Sequence, residues 1–181
     1  MTVKDLPTPA TLRKLLSYDP DTGLLTWKRR SPEMFKAENR SNAWNARHAG
    51  KEAFTATMAQ GYKIGSILGS VYYAHRVAYA VHYGKWPAQH IDHISGDAAD
   101  NRITNLRDVS QSMNCRNTAM QSSNTSGVCG VSWHKGSGKW QAHVKLYGKQ
   151  KYLGTFDNID DAAAARKAAE AGHGFTERHG T

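Results

Sequence analysis

Residues 90–117 read HIDHISGDAADNRITNLRDVSQSMNCRN and gather two histidines, four aspartates and four asparagines with few apolar side chains. Asp92 and His93 are adjacent, Asn105 follows Asp92 by thirteen positions and Asn114 follows it by twenty-two. A carboxylate and an amide oxygen are hard donors of the kind that hold magnesium or manganese, with water in the remaining positions. A histidine beside such an ion can take a proton from water as it attacks phosphorus, while the ion stabilises the leaving 3′ oxygen. A calcium loop of the EF-hand type needs a closing glutamate at its twelfth position; counted from Asp92, that position is Ile103.

For this chemistry the chain must bring Asp92 and Asn114 together. "ISGDAADN" is turn-rich, "NLRDV" suits a short strand, and "SQSMNCRN" starts like a helix capped by Ser110. A strand, a turn, a strand and a helix would set Asp92 opposite Asn114. Upstream, "TPATLRKLLSY" predicts a helix with Thr8 as N-cap and Pro9 at its first position. "DPDTG" reads as a turn and "LLTWKRR" as a strand, whereas 31–60 shows no clear period and reads as loop. "GYKIGSILGSVYYAHR" predicts two strands around a turn at Gly69 and Ser70. "AHRVAYAVHYG" predicts a helix with Val77, Ala80, Val81 and Gly84 on one face, ended by Gly84.

The charge distribution supports a polyanionic partner. The net charge is +9, with 13 Lys or Arg against six acids in residues 1–91 and nine against five in 116–181. Between them, residues 92–115 carry only Arg102 and Arg107 against Asp92, Asp97, Asp100 and Asp108. Basic flanks suit a phosphate backbone, and an acidic centre facing phosphate needs a cation between them. No apolar run approaches a bilayer span, the start lacks the apolar region of a signal peptide, and "ATLRKLLSY" is short for an amphipathic anchor. Cys115 and Cys129 form no C-x-x-C pair, so neither a four-cysteine zinc ribbon nor a disulfide framework is expected. The expected compartment is a reducing cytoplasm.

The string from Ile91 to Asn117, with its lead-in "AHRVAYAVHYGKWP", resembles the ββα-metal motif of phage-type HNH homing endonucleases, in the variant with aspartate and asparagine as metal ligands. The resemblance implies Asp92 as first ligand, His93 as general base, Asn105 as the asparagine that holds the loop and orients the histidine, and Asn114 as second ligand. It implies Mg2+ or Mn2+, with no structural zinc. His75, just before a helix, reads as a packing or capping residue, with an approach to the site or to a phosphate as the alternative, and His90 reads as structural or exposed.

After the small, polar "TAMQSSNTSG" the texture changes. "GVCGVSWH", "KWQAHVKL" and "KQKYLGTF" predict three strands, and "NIDDAAAARKAAEAG" an alanine-rich helix that starts near Asn158 or Asp160 and ends at Gly172. In the second strand Trp140, Ala142, Val144 and Leu146 alternate with Lys139, Gln141, His143 and Lys145, one face apolar and the other polar. Trp140 reads as core, while Trp133 fits either face. This part resembles the ethylene-response-factor (plant APETALA-type) DNA-binding domain, through "GV", "GKW", "YLGTF" and the helix. By that match Ser132, His134, Lys139, His143, Lys145 and Tyr152 fall at or near positions facing the major groove. The plant domain reads bases largely with arginines. Here the sheet has none, and Cys129 and Ser132 stand where arginine is expected, so backbone positioning is favoured over strict base reading.

The expected fold is α+β: a ββα-metal nuclease module followed by a three-stranded antiparallel sheet with one packed helix. The expected division is 1–61, an N-terminal DNA-contacting region; 62–118, the nuclease; 119–126, a linker; and 127–181, the DNA-binding module. The expected function is that of a monomeric, homing-type, metal-dependent endonuclease acting on double-stranded DNA without a membrane, and nicking rather than breaking both strands. Lys28, Arg29 and Arg30 add backbone contacts in this reading. Its rival is a DNA-binding regulator that uses the HNH region as a scaffold. RNA binding is a weaker reading, since Tyr152 and Trp133 alone make a poor stacking platform.

Overall fold

A computed structural model describes residues 6–36, 39–114, 120, 123–173 and 175. It is α+β and divides into two compact units, Met1–Asp108 and Val109–Thr181. The expected linker 119–126 falls within the second unit, and Cys115 lies outside the described residues.

In the first unit, α1 (Pro9–Leu15) starts as its sequence dictates, with the Thr8 side chain accepting from the Thr11 N–H and proline at the first position. The helix stops sooner than "TPATLRKLLSY" suggested. Leu16–Tyr18 turns extended as β1 and pairs antiparallel with β2 (Leu25–Trp27). Leu12, Leu15 and Leu16 are all buried, so the apolar spacing continues across a helix–strand junction that period alone does not reveal.

The region 31–60, expected as loop, contains a 3-10 turn at Pro32–Met34, the ten-residue helix α2 (Asn39–His48) and the two-residue strand β3 (Ala56–Thr57). The buried positions of α2 include Ser41 and Asn45, so no apolar stripe announces it.

Strands β4 (Lys63–Ile67) and β5 (Ser70–Tyr73) form a hairpin with β3 at its edge. Its turn is Leu68–Gly69, one residue earlier than expected, and both have positive φ, 52° and 78°. Helix α3 (Ala74–Tyr83) follows and ends at Gly84, whose φ of 71° makes it a left-handed cap. Val77, Ala80 and Val81 are buried as expected, joined by Ala74, His75 and Ala78.

Arg13 of α1 donates to the Val81 and His82 carbonyls at 2.8 and 3.1 Å, which ties α1 to the end of α3. One core unites Leu12, Leu15, Leu16, Leu25, Phe54, Ile67, Val77, Ile91 and Leu106. The last two belong to β6 (His90–His93) and β7 (Leu106–Val109), which pair with each other. Helix α4 (Gln111–Asn114) comes next, with the Met113 N–H donated to the Ser110 hydroxyl. The chain order β6–β7–α4 is consistent with a ββα-metal fold.

The second unit holds β8 (Val131–His134), β9 (Lys139–Leu146) and β10 (Lys149–Phe156) in the order β10-β9-β8, with both pairings antiparallel. Helix α5 (Ile159–Glu170) is capped by Asn158, which accepts from the Asp160 N–H. Val131, Ala142 and Ala162 form its small core, with Trp140, Leu153, Phe156 and Ile159 packed around them.

Candidate active site and nucleic-acid interface

Asp92 and His93 occupy consecutive positions on β6 and are both buried, 6 and 5 % exposed. A buried carboxylate needs a positive partner. Arg107 on β7 supplies it, with Nε 2.8 Å and Nη2 2.6 Å from Asp92 Oδ2.

The His93 ring sits against His75, edge to face at 5.1 Å between centroids, and against Tyr62 at 5.8 Å. On its other side Nε2 lies 3.3 Å from the Asn101 side-chain oxygen. A proton on Nε2 is therefore donated to Asn101, and Nδ1 carries the lone pair of the neutral ring. Burial lowers the His93 pKa, opposed by the hydrogen bond to Asn101 and the charges of Asp92, Asp100 and Asp97.

Asn105 closes the 3-10 turn Ile103–Asn105 and clamps the intervening loop from inside. Its Oδ1 accepts from the Ser95 N–H at 2.8 Å, its Nδ2 donates to the Asp100 carbonyl at 2.8 Å, and its own carbonyl accepts from the Ile94 N–H at 2.9 Å. The loop-holding role expected of Asn105 thus has direct hydrogen bonds behind it. The residue touching the histidine ring is Asn101, which sequence reasoning did not single out.

The other aspartates of the cluster have structural work. Asp97 accepts from the Ala99 N–H, Asp100 forms a two-pronged pair with Arg102 at 2.7 and 2.9 Å, and Asp108 accepts from the Ala88 and Gln89 N–H groups. The Arg102 pair holds the Asp100 pKa below the usual carboxylate value.

Support for Asn101 comes from far upstream. The Tyr18 hydroxyl donates to the Asn101 carbonyl at 2.7 Å, and the Ile103 N–H donates to the Pro20 carbonyl at 3.1 Å. Gly23, at φ 77°, lies so close that a Cβ there would sit 2.5 Å from the Arg102 nitrogen and 2.6 Å from the Asn101 carbonyl carbon.

Behind His93, His75 is buried at 7 % exposure, stacked on Tyr73 at 5.3 Å, and its Nδ1 has no hydrogen-bond partner among the described residues. Burial, then the neighbouring His93 and Arg76, push its pKa down to about 3. His90, by contrast, is exposed.

For an ion, the donor on β6 is the Asp92 carboxylate, whose Oδ2 is held by Arg107. Asn114 ends α4 and belongs to the second compact unit. Among the described residues no three His, Cys, Asp or Glu side chains converge as a metal cage. One carboxylate and one amide oxygen are donors that fit a hard divalent ion retaining most of its water.

In the second unit, strand register decides which side chains share a face. Ser132 pairs with Gln141, His134 with Lys139, Lys145 with Gln150 and His143 with Tyr152. Val131, Ala142 and Val144 turn to the buried side. All six residues singled out from the sequence, Ser132, His134, Lys139, His143, Lys145 and Tyr152, thus stand on one face, opposite the core under α5. Lys139 also pairs with Asp157 at 2.9 Å, and the Tyr152 ring lies 5.3 Å from His143. Trp133 pairs with Trp140 on the α5 side, with ring centroids 5.2 Å apart, and remains 49 % exposed. Among the described residues no helix is long and apolar enough to cross a membrane.

Comparison with known proteins agrees with this geometry. Residues 72–116 match the family model described as HNH endonuclease. Protein 3.8 of Escherichia phage T7 is 33 % identical over 85 residues, covering 47 % of this chain and 70 % of that protein. No solved structure matches.

Proposed function

Because the chain belongs to the family of phage T7 Protein 3.8 and carries an HNH endonuclease domain at residues 72–116, we propose that it is a metal-dependent DNA endonuclease of the homing type, encoded by a phage or prophage. The observation that carries this reading is His93: a buried, neutral-leaning base beside the Asp92 carboxylate, with Nε2 turned to Asn101.

Nδ1 of His93 takes the proton of a water molecule whose oxygen attacks phosphorus, and the bond from phosphorus to the 3′ oxygen breaks. Asn101 keeps the ring in the tautomer that leaves Nδ1 basic, and Asn105 holds the loop that carries Asn101. Asp92 and Asn114 would hold Mg2+ or Mn2+, which would supply positive charge for the leaving oxygen. One active site per chain favours a nick, by a protein acting as a monomer.

The face of Ser132, His134, Lys139, His143, Lys145 and Tyr152 is proposed to lie on double-stranded DNA. Its lysines and histidines hold phosphates and position the nuclease, without the arginine forks that read guanine. A DNA-binding regulator with a silent HNH region is the rival, favoured only by this face. The preserved set of Asp92, His93, Asn105 and Asn114 weighs against it.

The test is cleavage of supercoiled plasmid and host-type DNA with Mg2+ or Mn2+, for wild type and His93→Ala, each with an EDTA control. Metal-dependent nicks lost in the variant establish the nuclease. Binding by both proteins without cutting by either leaves the regulator.

A further inference from the structure

Arg30, just beyond β2, carries a guanidinium that the described protein does not use. It lies over the Trp44 ring at 3.9 Å and the Trp27 ring at 4.9 Å, and the two indoles meet edge to face at 5.7 Å. Its backbone is locked by the buried Asn45, which accepts from the Arg30 N–H at 2.9 Å and donates to the Arg30 carbonyl at 2.8 Å. Yet among the described residues the guanidinium forms no hydrogen bond and no ion pair, and Nε is buried without a partner. Burial works against its charge, with no acid opposing.

Four other arginines of the same unit have partners: Arg107 in Asp92, Arg102 in Asp100, and Arg13 and Arg76 in backbone carbonyls. A half-buried arginine held flat by two rings, with its donors left over, is arranged for something outside the chain.

A cavity of about 290 Å³ opens beside it. It is lined by Arg29, Arg30, Ser31, Pro32, Ser41, Asn42 and Asn45, so among the described residues it presents two positive charges, hydroxyls and amides, and no carboxylate. Two guanidiniums beside hydroxyls and amides suit a tetrahedral oxyanion, which a guanidinium grips with two parallel N–H donors. The stack on Trp27 and Trp44 fixes the fork in advance, so little side-chain freedom is lost on binding.

We propose that this cavity is a phosphate-binding site that takes one backbone phosphate of the nucleic-acid substrate, as an anchor separate from the phosphate being cut. The proposal rests on the nuclease reading, since it draws its ligand from that substrate.

The experiment uses the full chain with His93→Ala, so that DNA is bound and not consumed. Affinity for a labelled duplex is measured against salt for this protein and for versions carrying Arg30→Gln or Asn42→Asp. Asn42 is exposed, and its aspartate puts a negative charge in the cavity without touching the Arg30 stack; it therefore tests the site if loss of Arg30 also weakens the fold. In parallel, the Arg30 Nε–Hε NMR signal is followed on adding duplex or inorganic phosphate. The expected result is a shift of that signal with duplex, a roughly tenfold loss of affinity at low salt in Asn42→Asp, and a salt slope smaller by about one. Tight duplex binding with unchanged affinity and slope in both variants overturns the site and leaves the nuclease standing. A signal that moves with inorganic phosphate and not with duplex overturns the backbone assignment. A chain that does not bind duplex at all overturns the nuclease reading and this site with it.

Discussion

Arg107 points two of its donors at a single oxygen of Asp92, Nε at 2.8 Å and Nη2 at 2.6 Å. The carboxylate proposed to hold the ion is therefore already balanced by a guanidinium from the neighbouring strand. The pair gives a carboxylate at 6 % exposure the positive partner that burial demands.

Arg107→Gln is expected to destabilise the metal-free protein by about 1–3 kcal/mol, since a buried charge loses its charged hydrogen bonds. Added Mg2+ should then raise the melting temperature of the variant more than that of wild type, because binding to the native state replaces the lost partner. Calorimetry with and without Mg2+ checks both statements. An equal Mg2+ response in the two proteins would count against Asp92 as a ligand.

Asn101→Ala removes the oxygen 3.3 Å from His93 Nε2. The cleavage rate is expected to fall about 10–100-fold, the usual effect of losing a group that orients a functional histidine. Duplex affinity should hold, since Asn101 is buried and presents nothing to DNA. Single-turnover cleavage set beside equilibrium binding separates the two.

The imidazoles set the acid response. His75 has its pKa lowered from 6.5 to about 3, so below 6.5 the unfolded chain binds a proton that the native state refuses. The stability it contributes is fully present above 6.5 and is lost as pH falls from there toward 3, at no more than about 1.4 kcal/mol per pH unit. Denaturant titrations between pH 7 and 4 should show this slope in wild type and a shallower one in His75→Gln. His93 is lowered too, so the acid limb of the cleavage rate should lie below pH 6.5. A limb above it would contradict the burial of that ring.

On the sheet, Lys145 is exposed, while Lys139 pairs with Asp157 at 2.9 Å. Lys145→Gln is expected to reduce the salt slope of duplex binding by about one, and Lys139→Gln by less, because its charge is already partly countered. Anisotropy titrations at several salt concentrations test the difference.

Much of this was legible in advance, for identifiable reasons. Strand β9 matched its expected bounds because polar and apolar side chains alternate over eight residues, and β10 matched too, although KQKYLGTF does not alternate and carries a bulge between Tyr152 and Gly154. Asp92, His93 and Asn105 were singled out because their types and spacing fall in one short span, and the structure sets the first two on β6 and Asn105 on the 3-10 turn that follows. Helix α2 was not, since its buried positions include serine and asparagine. Nor was the division of labour between two asparagines four residues apart: Asn105 holds the loop, Asn101 meets the ring, and both have the same side chain. Tyr18 and Gly23 gave no signal, being some eighty residues from the loop they brace.

That bracing gives a further expectation. Gly23→Ala would place a methyl carbon 2.5 Å from the Arg102 backbone nitrogen at a φ of 77°, and should cost well over 1 kcal/mol. Tyr18→Phe loses one hydrogen bond, about 1 kcal/mol. Both should slow cleavage, Gly23→Ala more, as thermal melts and plasmid assays will reveal.

The same brace limits how the nuclease can be moved between proteins. The recognisable motif begins at residue 72, but the turn that steadies its histidine is written at Tyr18, Pro20 and Gly23, and its strands are seated on leucines from the first helix. Grafted alone onto another scaffold, residues 72–116 would keep every functional side chain and lose the platform that aims them. The inheritable part of this nuclease module runs from the first helix to Asn114, and recombination between phages would have to exchange that span intact.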